Sequence, residues 1–208
     1  MSEAAGHGMQ VFDLTQLLNA TGSTPVEFVE TAHYNKFGNS HNIAINEGTG
    51  FAYAVGTNTY SGGLHIVNIQ NPSNPVSAGG FASDGYTHDC QCVVYSGPDT
   101  RYNNTEICFN YNEDTLTIVD VSNKNSIIQI GRIGYQSAAY THQGWLTDDG
   151  RHVIVDDERD ETGTIKTRSH VFNVESLTAP RYVGCHSGLL PTRDHNLYVK
   201  GNLVFEAK

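Results

Sequence analysis

The chain is poor in charged residues and in positive charge above all. Only 16% of its 208 residues are charged, with 12 Lys and Arg against 22 Asp and Glu, and the formal net charge is −10. That balance argues against a nucleic-acid partner, because phosphate binding needs clustered Lys and Arg. No run of 18 apolar residues occurs, so we expect no membrane span. The N-terminal MSEAAGHGMQVFDL has neither a basic nor an apolar region and does not read as a signal peptide.

The residues that are plentiful favour β structure. The chain has 21 Gly, and its 11 Tyr outnumber its 8 Phe, while strong helix formers are few. Aromatic residues and turn formers in these proportions are typical of an all-β protein. The length suits one substantial core or two small ones.

One strand pattern occurs four times in the chain. Each copy is an apolar strand with Asp or Asn at its fifth position, and the copies follow one another at 52 to 55 residues. They are MQVFDLTQ, LHIVNIQN, LTIVDVSN and SHVFNVES, with Asp13, Asn68, Asp120 and Asn173 at the fifth position. Each copy leads into a further strand, so the pattern predicts pairs of neighbouring strands.

Four histidines keep the same spacing. Each begins a strand, in HNIAIN, HDCQCVVY, HQGWLT and HNLYVK, and a second strand follows each one; they are His41, His88, His142 and His195. A unit is therefore four short strands in about 50 residues, which is the sequence mark of a β-propeller blade. We predict an all-β fold with four-stranded antiparallel blades.

The phase of the repeat divides the chain into a single propeller region over residues 1–208. We expect a partial blade over 1–35, blades over 36–84, 85–136 and 137–190, and a partial blade over 191–208. Two closures remain open: the terminal strands complete one blade in a four-bladed ring, or the chain is an excerpt of a larger propeller. An unclosed ring would expose two sheet edges.

Long segments of the chain resemble a known family. SHNIAINEGTGFAYAVGTNTYSGGLHIVNI, YTHDCQCVVYSGPD, EICFNYNEDTLTIVDVSN, YTHQGWLTDDGRH and DHNLYVKGN are similar to the choice-of-anchor B family of secreted or surface-attached propellers with LVIVD-type repeats. The resemblance covers almost the whole chain. It implies an internal portion of a propeller of about seven blades, and we prefer that interpretation to the four-bladed ring.

The same resemblance guides the interpretation of the cysteines. The family has a Cys at the position of Tyr60 and another at that of Gly80, so one bridge is lost here. Cys92 and Cys108 stand at family positions, which implies a disulfide between them. We expect Cys90 to be a buried free thiol. Family and bridge together imply an oxidising, extracellular or cell-surface location.

The chain contains two sequons, at Asn19 and Asn103. They predict glycosylation if the protein is secreted from a eukaryotic cell. The expected partner is a protein or glycan at the cell surface or in a matrix. Self-assembly is a further possibility.

The histidines carry the one constellation with chemical promise. Equivalent first strands line the channel of a propeller, so His41, His88, His142 and His195 should lie at one level, with Asp89 and Gln143 as neighbours. Such a set suits a divalent metal such as Zn²⁺, Mn²⁺ or Fe²⁺. Alternatively the rings only satisfy inner backbone groups, or they lie far enough apart to leave adjacent pairs as ligands.

Other candidates are less specific. Trp145 and Tyr140 could stack on a sugar, and Arg193 could hold an acidic one. The acidic stretch DDERDE at residues 156–161 reads as a solvated loop or, alternatively, as a Ca²⁺ site. The sequence has no GxSxG motif and no Cys in a basic setting.

Two functions therefore stand. One is an extracellular binding or structural module, for which the family brings no established reaction. The other is a metal-dependent lyase or hydrolase that acts on polysaccharide at a His-lined channel.

Overall fold

The computed structural model describes residues 4–22, 25–161 and 163–207, and these residues form a partial β-propeller. The prediction of an all-β fold with four-stranded antiparallel blades is confirmed. The strands are β1 Met9–Val11, β2 Ala32–Tyr34, β3 Asn42–Asn46, β4 Phe51–Val55, β5 Leu64–Asn68, β6 Val76–Phe81, β7 Asp89–Val94, β8 Glu106–Tyr111, β9 Thr115–Asp120, β10 Ile128–Gly134, β11 Thr141–Leu146, β12 His152–Asp157, β13 Arg168–Asn173, β14 Arg181–Ser187, β15 Leu197–Lys200 and β16 Leu203–Glu206.

Each strand pairs with its neighbour in the chain. The first sheet is β3–β6, the second sheet β7–β10 and the third sheet β11–β14, while β1 pairs with β2 and β15 with β16. All the pairs are antiparallel. Short one-turn 3-10 helices lie at Tyr60–Gly62 and Thr100–Tyr102, and a longer one covers Leu14–Asn19.

Turn chemistry explains the tight connections. Between β3 and β4 the sequence NEGTG closes on a hydrogen bond from the Gly50 N–H to the Asn46 carbonyl at 2.9 Å. Gly50 has φ of +73°, a conformation that residues with a side chain rarely adopt. The turn residues therefore set the register of the first sheet, in which Asn46 faces Phe51.

The core lies between successive sheets. Tyr53, Leu64 and Ile66 of the first sheet pack against Cys108 and Val119 of the second sheet. A larger cluster joins the second and third sheets, and its fully buried members include Phe109, Tyr111, Val153, Val155 and Phe172. Stacked sheets thus bury the alternate apolar residues that the strand pattern predicted.

The first strands of the successive units are neighbours around the axis: β3 contacts β7, β7 contacts β11, and β11 contacts β15. Side chains, rather than a backbone ladder, link them. Asn42 donates to Asp89 at 2.6 Å, the Leu146 N–H donates to Gln91 at 2.8 Å, and the Leu197 N–H donates to Gln143 at 2.8 Å. These amide links hold the inner strands at a fixed spacing.

The cysteines occupy three kinds of environment. A disulfide joins Cys92 to Cys108, which face each other across β7 and β8. Cys90 is a buried free thiol whose pKa is raised by its burial, and Cys185 is exposed and free.

Tyr60 and Gly80 lie in contact, at the two positions where the resembled family has Cys. A Cβ on Gly80 would lie 2.5 Å from the Tyr60 ring, so the ring fills the space that a side chain at residue 80 would need. The Tyr60 ring can therefore occupy this position only because residue 80 is a glycine.

No helix in the described part of the chain is long and apolar enough to cross a membrane.

Candidate functional site

The four repeat histidines form a row along the inner strands, which we call the histidine row. The ring centroids of His41 and His88 are 4.0 Å apart, those of His88 and His142 are 4.2 Å apart, and those of His142 and His195 are 4.5 Å apart. His88 and His142 are buried, His41 is half-buried and His195 is exposed. The structure thus brings together residues that are about 50 positions apart in the chain.

A hydrogen bond fixes the protonation of His88. Its Nδ1 lies 3.0 Å from the carbonyl oxygen of His142. A carbonyl only accepts, so the proton is on Nδ1 and the Nε2 lone pair of the neutral ring remains available. Burial, with the nearby charges of His142 and His41, lowers the pKa of His88 to about 3. The ring is therefore neutral at physiological pH, the state in which imidazole binds metal.

His142 lies against a carboxylate as well as against its neighbouring rings. Its Nδ1 is 3.5 Å from Oδ1 of Asp156, which is too far for a good hydrogen bond, and the backbone of His195 also interacts with the ring. Burial lowers its pKa, although Glu158 and Asp89 act in the opposite direction.

The row by itself offers neighbouring pairs of ligands rather than a closed cage. Among the described residues, the three potential metal ligands whose donor atoms all lie within 4.8 Å of one another are Asp157, Asp160 and His170. These three do not belong to the row, and sequence reasoning did not single out His170.

Most carboxylate oxygens of that second cluster already have hydrogen-bond donors. Asp160 accepts hydrogen bonds from Arg168 at 2.9 Å and from His170 at 2.9 Å. Asp157 accepts from the Tyr135 hydroxyl and from backbone N–H groups, including those of Ala139 and Tyr140. The cluster therefore acts as a structural network that ties the start of the third sheet to β13.

The expectation of a solvated acidic loop at residues 156–161 is wrong for its aspartates. Asp156 and Asp157 are 0% exposed and Asp160 is 4% exposed. The reason is that β12 extends to Asp157, so the sheet carries these carboxylates inside. A run of like charges usually lies on the surface of a protein. The burial of these aspartates becomes visible only in the register of β12.

A groove of about 390 Å³ runs across the inner strands; we call it the inner groove. Backbone and side chains of β3, β7, β11 and β15 line it. Its polar side chains include Asn42, Asp89, Gln91 and Gln143. Its aromatic side chains are Trp145 and Tyr198, whose rings meet edge to face at 5.0 Å.

The residues proposed to bind a ligand have different surroundings. Trp145 lines the inner groove, whereas Tyr140 lies edge-on to His88 at 5.2 Å and beneath the guanidinium of Arg159 at 4.3 Å. Arg193 is exposed and lies 3.5 Å from Glu158. Sequence reasoning missed Tyr198, although it follows His195 by three residues, as Trp145 follows His142.

The two predicted glycosylation sites are accessible. Asn19 ends the first 3-10 helix and is exposed, and Asn103 is exposed in the connection between β7 and β8.

Comparison with known proteins supports the repeat. Residues 37–82 and 110–133 match the LVIVD repeat family. A crystal structure of a protein from Lactobacillus plantarum is similar, with a TM-score of 0.52 and 11% identity, over 77% of this chain and 45% of that one. The chain spans less than half the length of that protein, and a likeness at this identity concerns the fold alone. Among curated proteins, none matches the chain.

Proposed function

We propose that the chain is part of an extracellular or cell-surface β-propeller of the choice-of-anchor B kind and serves as a binding or structural module. The LVIVD repeats and the Cys92–Cys108 disulfide are compatible with that setting. In this proposal the blades are those expected from the repeat, within a propeller of about seven, and no reaction is assigned to the module.

The inner groove carries this proposal, and a glycan is the ligand that suits it. A sugar presents apolar ring faces and many hydroxyl groups, so it is recognised by aromatic rings together with amide and carboxylate groups. The groove combines Trp145 and Tyr198 with Asn42, Gln91 and Asp89, which lie on the inner strands β3, β7, β11 and β15. The strands are joined through side-chain hydrogen bonds, so the ligand would meet a surface that is already organised.

Screening the purified chain on an array of surface and matrix glycans tests the proposal. We expect a Trp145→Ala/Tyr198→Ala variant to lose at least about tenfold in affinity for any glycan that binds, since each ring contributes stacking area. Trp145→Phe keeps a ring and should lose less, and Tyr182→Ala removes a tyrosine from outer strand β14 as a control. Equal affinity of the double variant and the parent would contradict the site.

The histidine row supports a second candidate, a metal-dependent lyase or hydrolase acting on polysaccharide. Its support is the spacing of the rings and the free Nε2 lone pair of His88. In this candidate Zn²⁺, Mn²⁺ or Fe²⁺ would be held by adjacent rings, with Asp89 and Gln143 beside them.

Metal analysis of protein purified without a His-tag separates the two candidates. One equivalent of transition metal, lost in a His88→Ala/His142→Ala variant, would favour the enzyme. If the protein binds a glycan and holds no transition metal, the binding module is the candidate function that remains.

A further inference from the structure

A second set of ionisable groups lies beside the histidine row, between the third sheet and the β15–β16 pair; we call it the acidic junction. It consists of Asp156 on β12, Asp194 just before β15 and Glu206 on β16. Ser169 on β13 reaches across the junction and donates to the Glu206 carboxylate at 3.0 Å. The three carboxylates come from parts of the chain that meet only in the folded protein.

Two carboxylates of this junction, those of Asp156 and Asp194, are fully buried, whereas Glu206 is partly buried. Asp156 and Asp194 are each 0% exposed. Both oxygens of Asp194 and Oδ2 of Asp156 have no hydrogen-bond partner, while Oδ1 of Asp156 accepts from the Gln143 N–H at 2.7 Å. A buried ionised carboxylate with no partner costs several kcal/mol, so such a group either keeps its proton or needs a cation beside it.

The neighbouring ionisable groups do not supply that cation. Arg168 is bonded to Asp160 at 2.8 Å, and Asp160 and Glu161 add further negative charge near Asp194. Asp89 and Glu206 act on Asp156 in the same sense. The imidazole of His142, which is 2% exposed, lies at the edge of the junction with its Nδ1 3.5 Å from Oδ1 of Asp156.

We propose that the acidic junction binds a hard divalent cation of the Ca²⁺ class through Asp156, Asp194 and Glu206, with His142 at its edge. Carboxylate oxygens are the ligands that such ions prefer. The donor atoms are spread more widely than the 4.8 Å spacing met by Asp157, Asp160 and His170. The ion would therefore contact only some of the three carboxylates directly and reach the others through water molecules in its coordination shell.

The site is separate from the inner groove, and it shares only His142 with the metal set suggested for the second candidate function. It needs neither His41 nor His88, and it takes oxygen-binding ions rather than Zn²⁺ or Fe²⁺. The bound ion would fix the β15–β16 pair against the third sheet and so serve the stability of the propeller.

The test begins with protein dialysed against EDTA and titrated separately with CaCl₂, MgCl₂ and MnCl₂ by calorimetry. We expect one equivalent to bind, and a rise in Tm of about 5–10 °C at a free-ion concentration about one hundred times Kd. Protonation of the carboxylates competes with the ion. The rise in Tm should therefore be larger at pH 9 than at pH 5.

Two conservative variants locate the ion. Asp156→Asn and Asp194→Asn should each weaken binding at least about tenfold, whereas His41→Ala/His88→Ala should bind it as the parent does. Glu106→Gln changes a buried carboxylate that already has a lysine partner and serves as the matched control. Absence of binding by the parent between pH 6 and pH 9 would overturn the proposal, as would unchanged binding by both aspartate variants. Neither result depends on whether the inner groove binds a glycan.

Discussion

Glu106 and Asp194 are both buried carboxylates at junctions between successive units, and the fold treats them oppositely. Glu106 lies between the first and second sheets. It accepts hydrogen bonds from Lys124, Thr49 and Asn46, each at 2.6 Å. Asp194 lies between the third sheet and β15–β16, and neither of its oxygens has a hydrogen-bond donor. The backbone repeats, but the balance of charge does not.

The difference reverses the effect of pH. Hydrogen bonds from Lys124 and its neighbours outweigh burial and lower the pKa of Glu106, so its contribution to stability is present above the unfolded pKa and lost on acidification. Burial raises the pKa of Asp194 to about 9, so its contribution is complete below its unfolded pKa and is lost as pH rises towards 9. The junction that contains Glu106 is therefore more stable at neutral pH than in acid. The junction that contains Asp194 is stable when the carboxyl keeps its proton or lies beside a cation.

The largest effect should follow from breaking the balanced junction. We expect Glu106→Gln to lower the free energy of unfolding by about 3 kcal/mol at pH 7, because Lys124 would remain buried without its counter-charge. Urea unfolding measures the loss, and Glu47→Gln, on the exposed β3–β4 turn, should change it by less than about 0.5 kcal/mol. Equal losses in the two variants would show that the ion pair contributes little.

A covalent link inside the second sheet should contribute almost as much, without dependence on pH. Replacing Cys92 and Cys108 by Ala should cost roughly 3 kcal/mol, as expected for a disulfide that closes a loop of this size. The loss should be similar at pH 5 and pH 8, unlike the effects at either carboxylate. Cys185→Ser, at an exposed free thiol, is the control, and unchanged stability of the double variant would refute the expectation.

The smallest effect has the opposite sign. In EDTA at pH 8 we expect Asp194→Asn to raise the free energy of unfolding by about 1–2 kcal/mol, because an amide avoids the cost of keeping a buried carboxyl protonated when the unfolded chain would ionise it. Parent stability should fall between about pH 4 and about pH 9 as the carboxylate loses its proton, and the variant should show a flatter profile. Unfolding curves at pH 5, 7 and 9 measure both slopes. A variant less stable than the parent at pH 8 would contradict the unpaired state of Asp194.

The repeat made much of the fold predictable. The strand pattern around Asn68, Asp120 and Asn173 and the spacing of the histidines predicted four-stranded antiparallel units, because the turn residues and alternation are local. The proximity of His88 and His142 followed from the same period. Local patterns of this kind are read directly from the chain.

Other features depend on contacts that no local pattern contains. Trp145 meets Tyr198, and Glu106 meets Asn46 and Thr49, because inner strands and successive sheets are brought side by side. Asp156 is buried where it pairs with Gln143, beside the bulge between Thr141 and Gln143 in the pairing of β11 with β12. A shift of one residue in such a pairing exchanges the inside and outside faces of a strand.

The sequence by itself determined the repeated unit, the positions of its strands and the four histidines that begin them, since turn chemistry and alternation act over a few residues. Only the tertiary structure decided which carboxylates have a counter-charge. Asp194 and Asp156 are distant in the chain and close in the fold, and the free energy of a buried charge depends on what surrounds it in space.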